Sequence, residues 1–164
     1  MNVPALIIDQ LRAAFHHVAI DTTGDMPVLT VDKSQLIQMV TTLVQNPQFR
    51  FQFLTDLCGV HYPDMTPPSL ALVLHLHNLE DNVRLRVKSF TPVSDPTFSS
   101  LTGLFAAANW MERETYDFFG IQFLNHPDLT RILNMDDMVD FPMRKEFTLE
   151  DPTRTDKEDV YFGR

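Results

Sequence analysis

Glu112, Glu114, Asp117 and His126 are the residues whose types and spacing offer chemistry. Three carboxylates within about two turns of one helix, with an imidazole shortly after, are the raw material of an acid/base pair or a metal site. The same stretch carries Arg113, Arg131, Arg144 and Lys145. Buried carboxylates more often answer a cation than perform a reaction. The favoured reading therefore pairs these groups, either within the chain or across a surface that another polypeptide covers. Arg113 and Asp117, four residues apart, are one such pair, in the weaker cation-first order. His75 and His77 have the H-x-H spacing of a metal pair, but no third ligand is evident. His16 and His17 read as a solvated pair. Cys58 reads as inert, since no basic residue closely precedes it to lower its pKa. The 5 glycines lie too far apart for a dinucleotide or phosphate loop, and neither G-x-S-x-G nor H-E-x-x-H occurs.

The element that must position these groups is a helix running from Asn109. Trp110, Met111, Glu114, Thr115 and Phe118 recur at three- and four-residue spacings, which predicts the buried stripe, and Gly120 can end the helix in a left-handed conformation. Upstream, Val3, Ile7, Leu11, Ala14 and Val18 form a first helical stripe, with Asn2 placed to cap it and Pro4 tolerated in its first turn. Val28, Leu29 and Val31 suggest a short strand. Asp32 and Gln35 resemble a capping box before a second helix, through Leu36, Val40, Leu43 and Val44, that stops before Asn46-Pro47. Phe49, Phe51 and Phe53 alternate with polar residues, whereas Leu54 to Leu57 suit either a strand or a helical turn. Val60 to Tyr62, Leu70 to Leu76 and Val83 to Val87 read as strands, the last two joined by a turn over Leu79 to Val83. Leu70, Leu72, Leu74 and Leu76 line one face, and the half-apolar opposite face is expected to meet something too. A short helix over Leu101 to Ala108 and a strand over Ile121 to Phe123 complete the pattern. From His126 the chain turns irregular.

The chain's 164 residues suffice for one domain with a sizeable core. Its net charge of −9 is concentrated late, because 13 of the 22 acidic residues lie from Glu112 onward. Such a surface repels phosphate backbones and anionic lipid, so nucleic acid and direct membrane adhesion are disfavoured and a protein partner with basic patches is favoured. The single cysteine excludes an intramolecular disulfide or a thiolate-held cluster within this chain, and points to a reducing compartment. No apolar run reaches the length of a membrane span, and the N-terminus lacks a basic signal region, so the chain is expected to be cytosolic in character.

The runs Asn109-Trp-Met-Glu-Arg-Glu-Thr-Tyr-Asp117 through Gly120-Ile121, His126-Pro-Asp-Leu129 with Arg131-Ile-Leu133, and Pro142-Met-Arg-Lys-Glu-Phe147 resemble the thirty-kilodalton subunit family of respiratory complex I, the C-type subunit of the bacterial NADH-quinone oxidoreductase. The likeness extends upstream through Leu54 to Pro63 and the Leu85-Arg-Val-Lys strand. The chain differs in having Asn125 where the family has glycine, Thr130 where it has arginine, Asp140-Phe141 where it has Gly-His, and Glu146 where it has aspartate. Asparagine is the commonest non-glycine residue at positive φ, so Asn125 is expected to preserve the turn.

The resemblance implies an α+β fold, two-layered, with helices packed on one mixed β-sheet. Residues 1–147 would form the domain, and 148–164 an extended C-terminal tail over a neighbour. It implies a cofactor-free structural subunit of the hydrophilic arm, docked beside the forty-nine-kilodalton (D-type) subunit and near the B-type subunit. The location implied is peripheral, at the cytoplasmic face of the bacterial inner membrane. Glu112, Arg113, Glu114, Asp117, Arg131, Arg144 and Lys145 form the expected polar interface set. Trp110, Tyr116, Phe118 and Phe119 are its apolar anchors, Gly120 stops the helix, and His126-Pro127 sets the chain's direction. The alternatives are the equivalent subunit of a membrane-bound hydrogenase, or of a deazaflavin- or plastoquinone-linked relative. A different class, a stand-alone hydrolase, would need Glu114 and His126 to converge in a pocket.

Overall fold

A computed structural model describes residues 5–67 and 69–147. Asn2, Val3 and Pro4, expected to open the first helix, and the expected tail over 148–164 lie outside the described residues.

Helix α1 (Ala5–Ala14) is followed by strands β1 (Ala19–Asp21) and β2 (Val28–Asp32), helix α2 (Leu36–Gln45), and three long strands, β3 (Phe53–Tyr62), β4 (Ser69–Asn78) and β5 (Val83–Pro92). Then come β6 (Thr97–Ser99), helix α3 (Ala108–Phe119) and β7 (Gln122–Leu124). The main sheet has the order β1-β2-β5-β4-β3. The β2–β5 pair is parallel and its other pairs antiparallel, so the sheet is mixed, and the fold is α+β as expected. A second sheet pairs β6 with β7 in parallel.

The core grows from the leucine face of β4. Leu70, Leu72, Leu74 and Leu76 are all fully buried. Leu57 of β3 pairs with Leu74, which in turn pairs with Val87 of β5, so one row of apolar side chains runs across three strands. Period-two alternation puts such residues on one face, and Ile7, Leu11 and Phe15 of the α1 region with Leu36, Met39, Val40 and Leu43 of α2 complete the same cluster. On the opposite face Ala71 and Val73 are buried, whereas His75 and His77 are half-buried.

The structure settles one open sequence reading and corrects three. First, β3 begins at Phe53, so Leu54 to Leu57 are strand; pairing against the leucine-rich β4 decides what local periodicity left open. Second, Asp32 does not cap α2. Its Oδ1 accepts from the Ser34 N–H and hydroxyl at 2.9 and 2.7 Å, a local turn, and the helix starts later behind Gln35 with no side-chain cap. Third, Leu101 to Ala107 are successive turns rather than a helix: the Leu101 N–H donates to a Glu112 carboxylate oxygen at 2.6 Å, and Gly103 sits in the middle. Fourth, α3 turns a different stripe inward from the one its spacing predicts, burying Glu112 and Asp117 and leaving Trp110 and Glu114 outside.

Candidate functional site

The buried residues of α3 are Ala108, Glu112, Thr115 and Asp117, while Trp110 is 63% exposed and Glu114 faces out. Two carboxylates are therefore inside and the tryptophan outside, the reverse of the apolar stripe. The cause lies on β3, the strand at the sheet's edge against which α3 packs. A Cβ on Gly59 would stand 2.7 Å from the Phe119 ring and 3.1 Å from the Thr115 methyl. The missing side chain lets the helix close on the strand with Thr115 and Phe119 inward and sets its rotation.

Asp117 is the hub. Its Oδ2 accepts from the backbone N–H groups of Ile132, Leu133 and Asn134 at 3.2, 2.8 and 3.0 Å. Its Oδ1 accepts from Arg131 Nη1 at 2.7 Å and Asn134 Nδ2 at 3.0 Å. Successive N–H groups converging on a carboxylate form an anion-binding nest, here occupied from within the chain. Burial pushes the Asp117 carboxyl up, but the Asn134 and Leu133 amides, the Arg131 guanidinium and the Asn134 side chain outweigh it and hold the pKa well below the usual carboxylate range. Arg131 continues the stitch, donating to Met138 O at 2.6 Å. The Arg113–Asp117 pair does not form. Arg113 donates instead to Thr130 O and Oγ1 at 3.1 and 2.9 Å and lies 5.1 Å from the Trp110 ring centre.

Glu112 overturns the cation-pairing reading for its own position. Fully buried, it accepts from the Leu101 N–H and, at 2.7 Å, from the Ser100 hydroxyl, with no guanidinium or ammonium bonded to it among the described residues. Burial raises its pKa to about 7 against those two hydrogen bonds. His126 Nε2 stands 3.9 Å away, too far for a good bond. His126 Nδ1 accepts from the Asp128 N–H at 3.0 Å, so Nε2 carries the proton and donates to Asn109 O at 3.2 Å. Both ring nitrogens are thus spent on shaping the turn across Pro127. Glu114, on the outward side of α3, does not meet His126, so the hydrolase pair is not assembled.

Gly120 ends α3 in the left-handed conformation (φ 68°), its N–H donating to Tyr116 O at 2.8 Å, and Asn125 has φ 64°. Both were expected. What sequence reasoning missed is Phe141, known only as a departure from the family pattern. Its ring lies over Gly120, where a Cβ would come within 2.5 Å. Arg131 and Arg144 flank it at 5.2 and 4.8 Å, and Tyr116 meets it edge-on at 6.3 Å. Arg144 Nε then donates to Phe119 O at 2.7 Å, placing a cation at the helix C-terminus. Lys145 is exposed, and its backbone N–H donates to the buried His61 Nδ1 at 2.9 Å. The bare glycine before an aromatic in the later chain was the only available signal for the Phe141 contact.

Gly120→Ala adds a clash with Phe141 to the left-handed strain, a combined cost of about 2–4 kcal/mol. Urea denaturation of the free chain checks this. Gly103→Ala is the control, because nothing lies within 4 Å of its would-be Cβ, and it should change stability by less than about 0.5 kcal/mol.

The remaining candidates are dispersed. His75 Nε2 accepts from Arg86 Nε at 2.8 Å and His77 Nε2 meets Asn82 Oδ1 at 3.1 Å, so each histidine has its own partner. Cys58 is raised to about 11, by burial and then by the Asp56 charge, which keeps it a thiol at neutral pH. Among the described residues no group of three His, Cys, Asp or Glu could hold a metal ion, and no helix is long and apolar enough to cross a membrane. The stitched segment leaves Leu133 (64% exposed), Met135 (72%) and Val139 (87%) facing outward.

Residues 29–153 match the family model described as "Respiratory-chain NADH dehydrogenase, 30 Kd subunit". The C-type subunit of the NADH-quinone oxidoreductase of Herpetosiphon aurantiacus is 39% identical over 162 residues, 97% of this chain and 94% of that protein. The corresponding subunit of Streptomyces coelicolor is 40% identical over 119 residues, 73% of this chain, but the match spans only 47% of its own length. Among solved structures, a trypsin-resistant fragment (1-134) of Nqo5 superposes with a TM-score of 0.64 at 29% identity, covering 76% of this chain and 98% of the fragment.

Proposed function

The chain belongs to the family of thirty-kilodalton subunits of respiratory-chain NADH dehydrogenase, and from that premise we propose that it is a cofactor-free docking subunit of an NADH-quinone oxidoreductase. In this reading it sits in the hydrophilic arm against the forty-nine-kilodalton (D-type) subunit and close to the B-type subunit, peripheral to the membrane on the cytoplasmic face. Electrons pass from NADH to quinone through groups that other subunits hold, and this chain contributes position and shape.

The observation that carries the reading is the division of labour around α3. Three of the four groups able to do acid/base chemistry are consumed internally, Asp117 by five donors, His126 through both ring nitrogens and Glu112 by Leu101 and Ser100, while Glu114 faces outward away from them. The Asp117 bonds, with Arg131 on Met138 O and Arg144 on Phe119 O, hold the 131–147 segment, from which Leu133, Met135 and Val139 project outward. A rigidly held apolar row is suited to being covered by another polypeptide. Arg113, Arg131 and Arg144 support that surface from within, and Trp110 extends it.

The test is Val139→Asp, in a chain expressed with the rest of its complex. The exposed position predicts a free-chain melting temperature within about 2 °C of wild type. A charge buried without a partner at the interface should cost several kcal/mol of docking, so the subunit should be lost when the complex is purified through another subunit. Retention at the wild-type level would remove this surface from the interface. The identities of the co-purifying subunits separate this reading from a hydrogenase or a deazaflavin- or plastoquinone-linked complex.

A further inference from the structure

A groove of about 300 Å³ runs between the edge of β3 and α3. Phe118, Phe119 and Met143 form apolar walls, Cys58 lies in it, and Asp56 and Glu114 bring two carboxylates to it. Asp56 and Glu114 line the same groove as Cys58. Asp56 has His75 Nδ1 at 3.4 Å, while Glu114 has no hydrogen-bonding or ionic partner among the described residues. Four of the chain's arginines are committed elsewhere: Arg113 to Thr130, Arg131 to Asp117, Arg144 to Phe119, and Arg86 to His75.

We infer that this groove seats an arginine side chain of the polypeptide that docks on the chain, its aliphatic stem against Phe118, Phe119 and Met143 and its guanidinium on Glu114. This rests on the docking reading and names the anchor that the partner must supply. Charge complementarity selects it. An acidic rim over aromatic walls matches a group that is cationic, planar and weakly hydrated, able to stack on a phenyl ring while bonding a carboxylate. The chain's own residues 148–164 are a poorer occupant, since they carry five acidic and three basic side chains. A buried arginine anchor is also the kind of contact that dominates an interface's energy.

The experiment uses the full chain in its complex, purified through a tag on another subunit, with retention of this subunit measured against rising salt. Glu114→Lys should lower retention at least tenfold, Glu114→Gln should lie between, and Met143→Trp, which fills the groove, should match the lysine variant. Melting temperatures of the free chains should agree with wild type, because Glu114 and Met143 are both exposed. A photo-crosslinking residue at position 143 should capture a partner peptide containing arginine, and changing that arginine to glutamate should restore retention of Glu114→Lys. Wild-type retention of Glu114→Lys, while Val139→Asp is lost, overturns the groove and leaves the docking reading intact. Failure of the wild-type chain to co-purify overturns both. A free chain that dimerises through this groove, and that Glu114→Lys makes monomeric, overturns the assignment to a different polypeptide.

Discussion

Asp117→Ala should lower the stability of the free chain by about 3–5 kcal/mol, the range for removing one partner of a buried ion pair. The carboxylate is fully buried and the Arg131 side chain only 7% exposed, so the substitution strands a guanidinium in a closed site. It also leaves the amides of Ile132, Leu133 and Asn134 without their acceptor. Urea denaturation gives the size, and limited proteolysis should place the first new cut within 131–147, the segment the nest holds. Asp117→Asn, which keeps one acceptor oxygen, should fall between. Arg131→Ala should cost a similar amount, and the double variant less than the sum, since the two groups form one network. Additive costs would show that the pair does not act as a unit. The pH dependence has a definite sign: a carboxyl held below its ordinary value of 3.8 stabilises the fold above that pH and loses its contribution only as the solution becomes strongly acidic.

Glu112→Gln should produce the second large effect, in the opposite direction. Burial raises this carboxyl from 4.5 to about 7, so between those values the native chain keeps a proton that the unfolded chain has released. Its stabilising contribution is complete below pH 4.5 and is lost as the pH rises through 7. The shift corresponds to about 3 kcal/mol at alkaline pH. Glutamine keeps an acceptor for the Leu101 amide without ever ionising, and its NH2 can donate to the Ser100 oxygen once that hydroxyl turns to donate to Thr102 Oγ1. The variant should therefore match wild type near pH 4 and exceed it by about 3 kcal/mol at pH 8. Taking the difference between the two proteins cancels the other titrating groups. A difference that stays constant from pH 4 to 8 would mean that folding does not shift the Glu112 carboxyl at all.

These two carboxylates stand five residues apart on one helix, both buried, yet their surroundings drive them in opposite directions. One is held ionised by a nest of amides and a guanidinium, while the other bonds an amide and a hydroxyl, with the His126 ring 3.9 Å off. Local sequence cannot distinguish them, because the deciding groups come from residues 100–101 in one case and 131–134 in the other. The same limit explains Arg113, whose helical spacing to Asp117 suggested a pair that Thr130 and Arg131 preempt from outside the helix.

Taken by itself, the sequence determined the elements whose hydrophobic period is strong: α1, α2, the β4–β5 hairpin, the stop of α3 at Gly120 and the turn at Asn125. It also carried the family likeness and located the charged helix as the centre of interest. These depend on side-chain alternation and backbone conformation, which are local properties. Tertiary structure decided the strand identity of Leu54 to Leu57, the β6–β7 pairing, the rotation of α3 and the choice of partner for each charge. Those features depend on which surfaces meet. Gly59 rotates the helix by lacking a side chain, and Phe141 settles on Gly120 from 21 positions away for the same reason. An atom that is absent leaves no periodic trace, and its consequence exists only once a distant surface arrives to occupy the space.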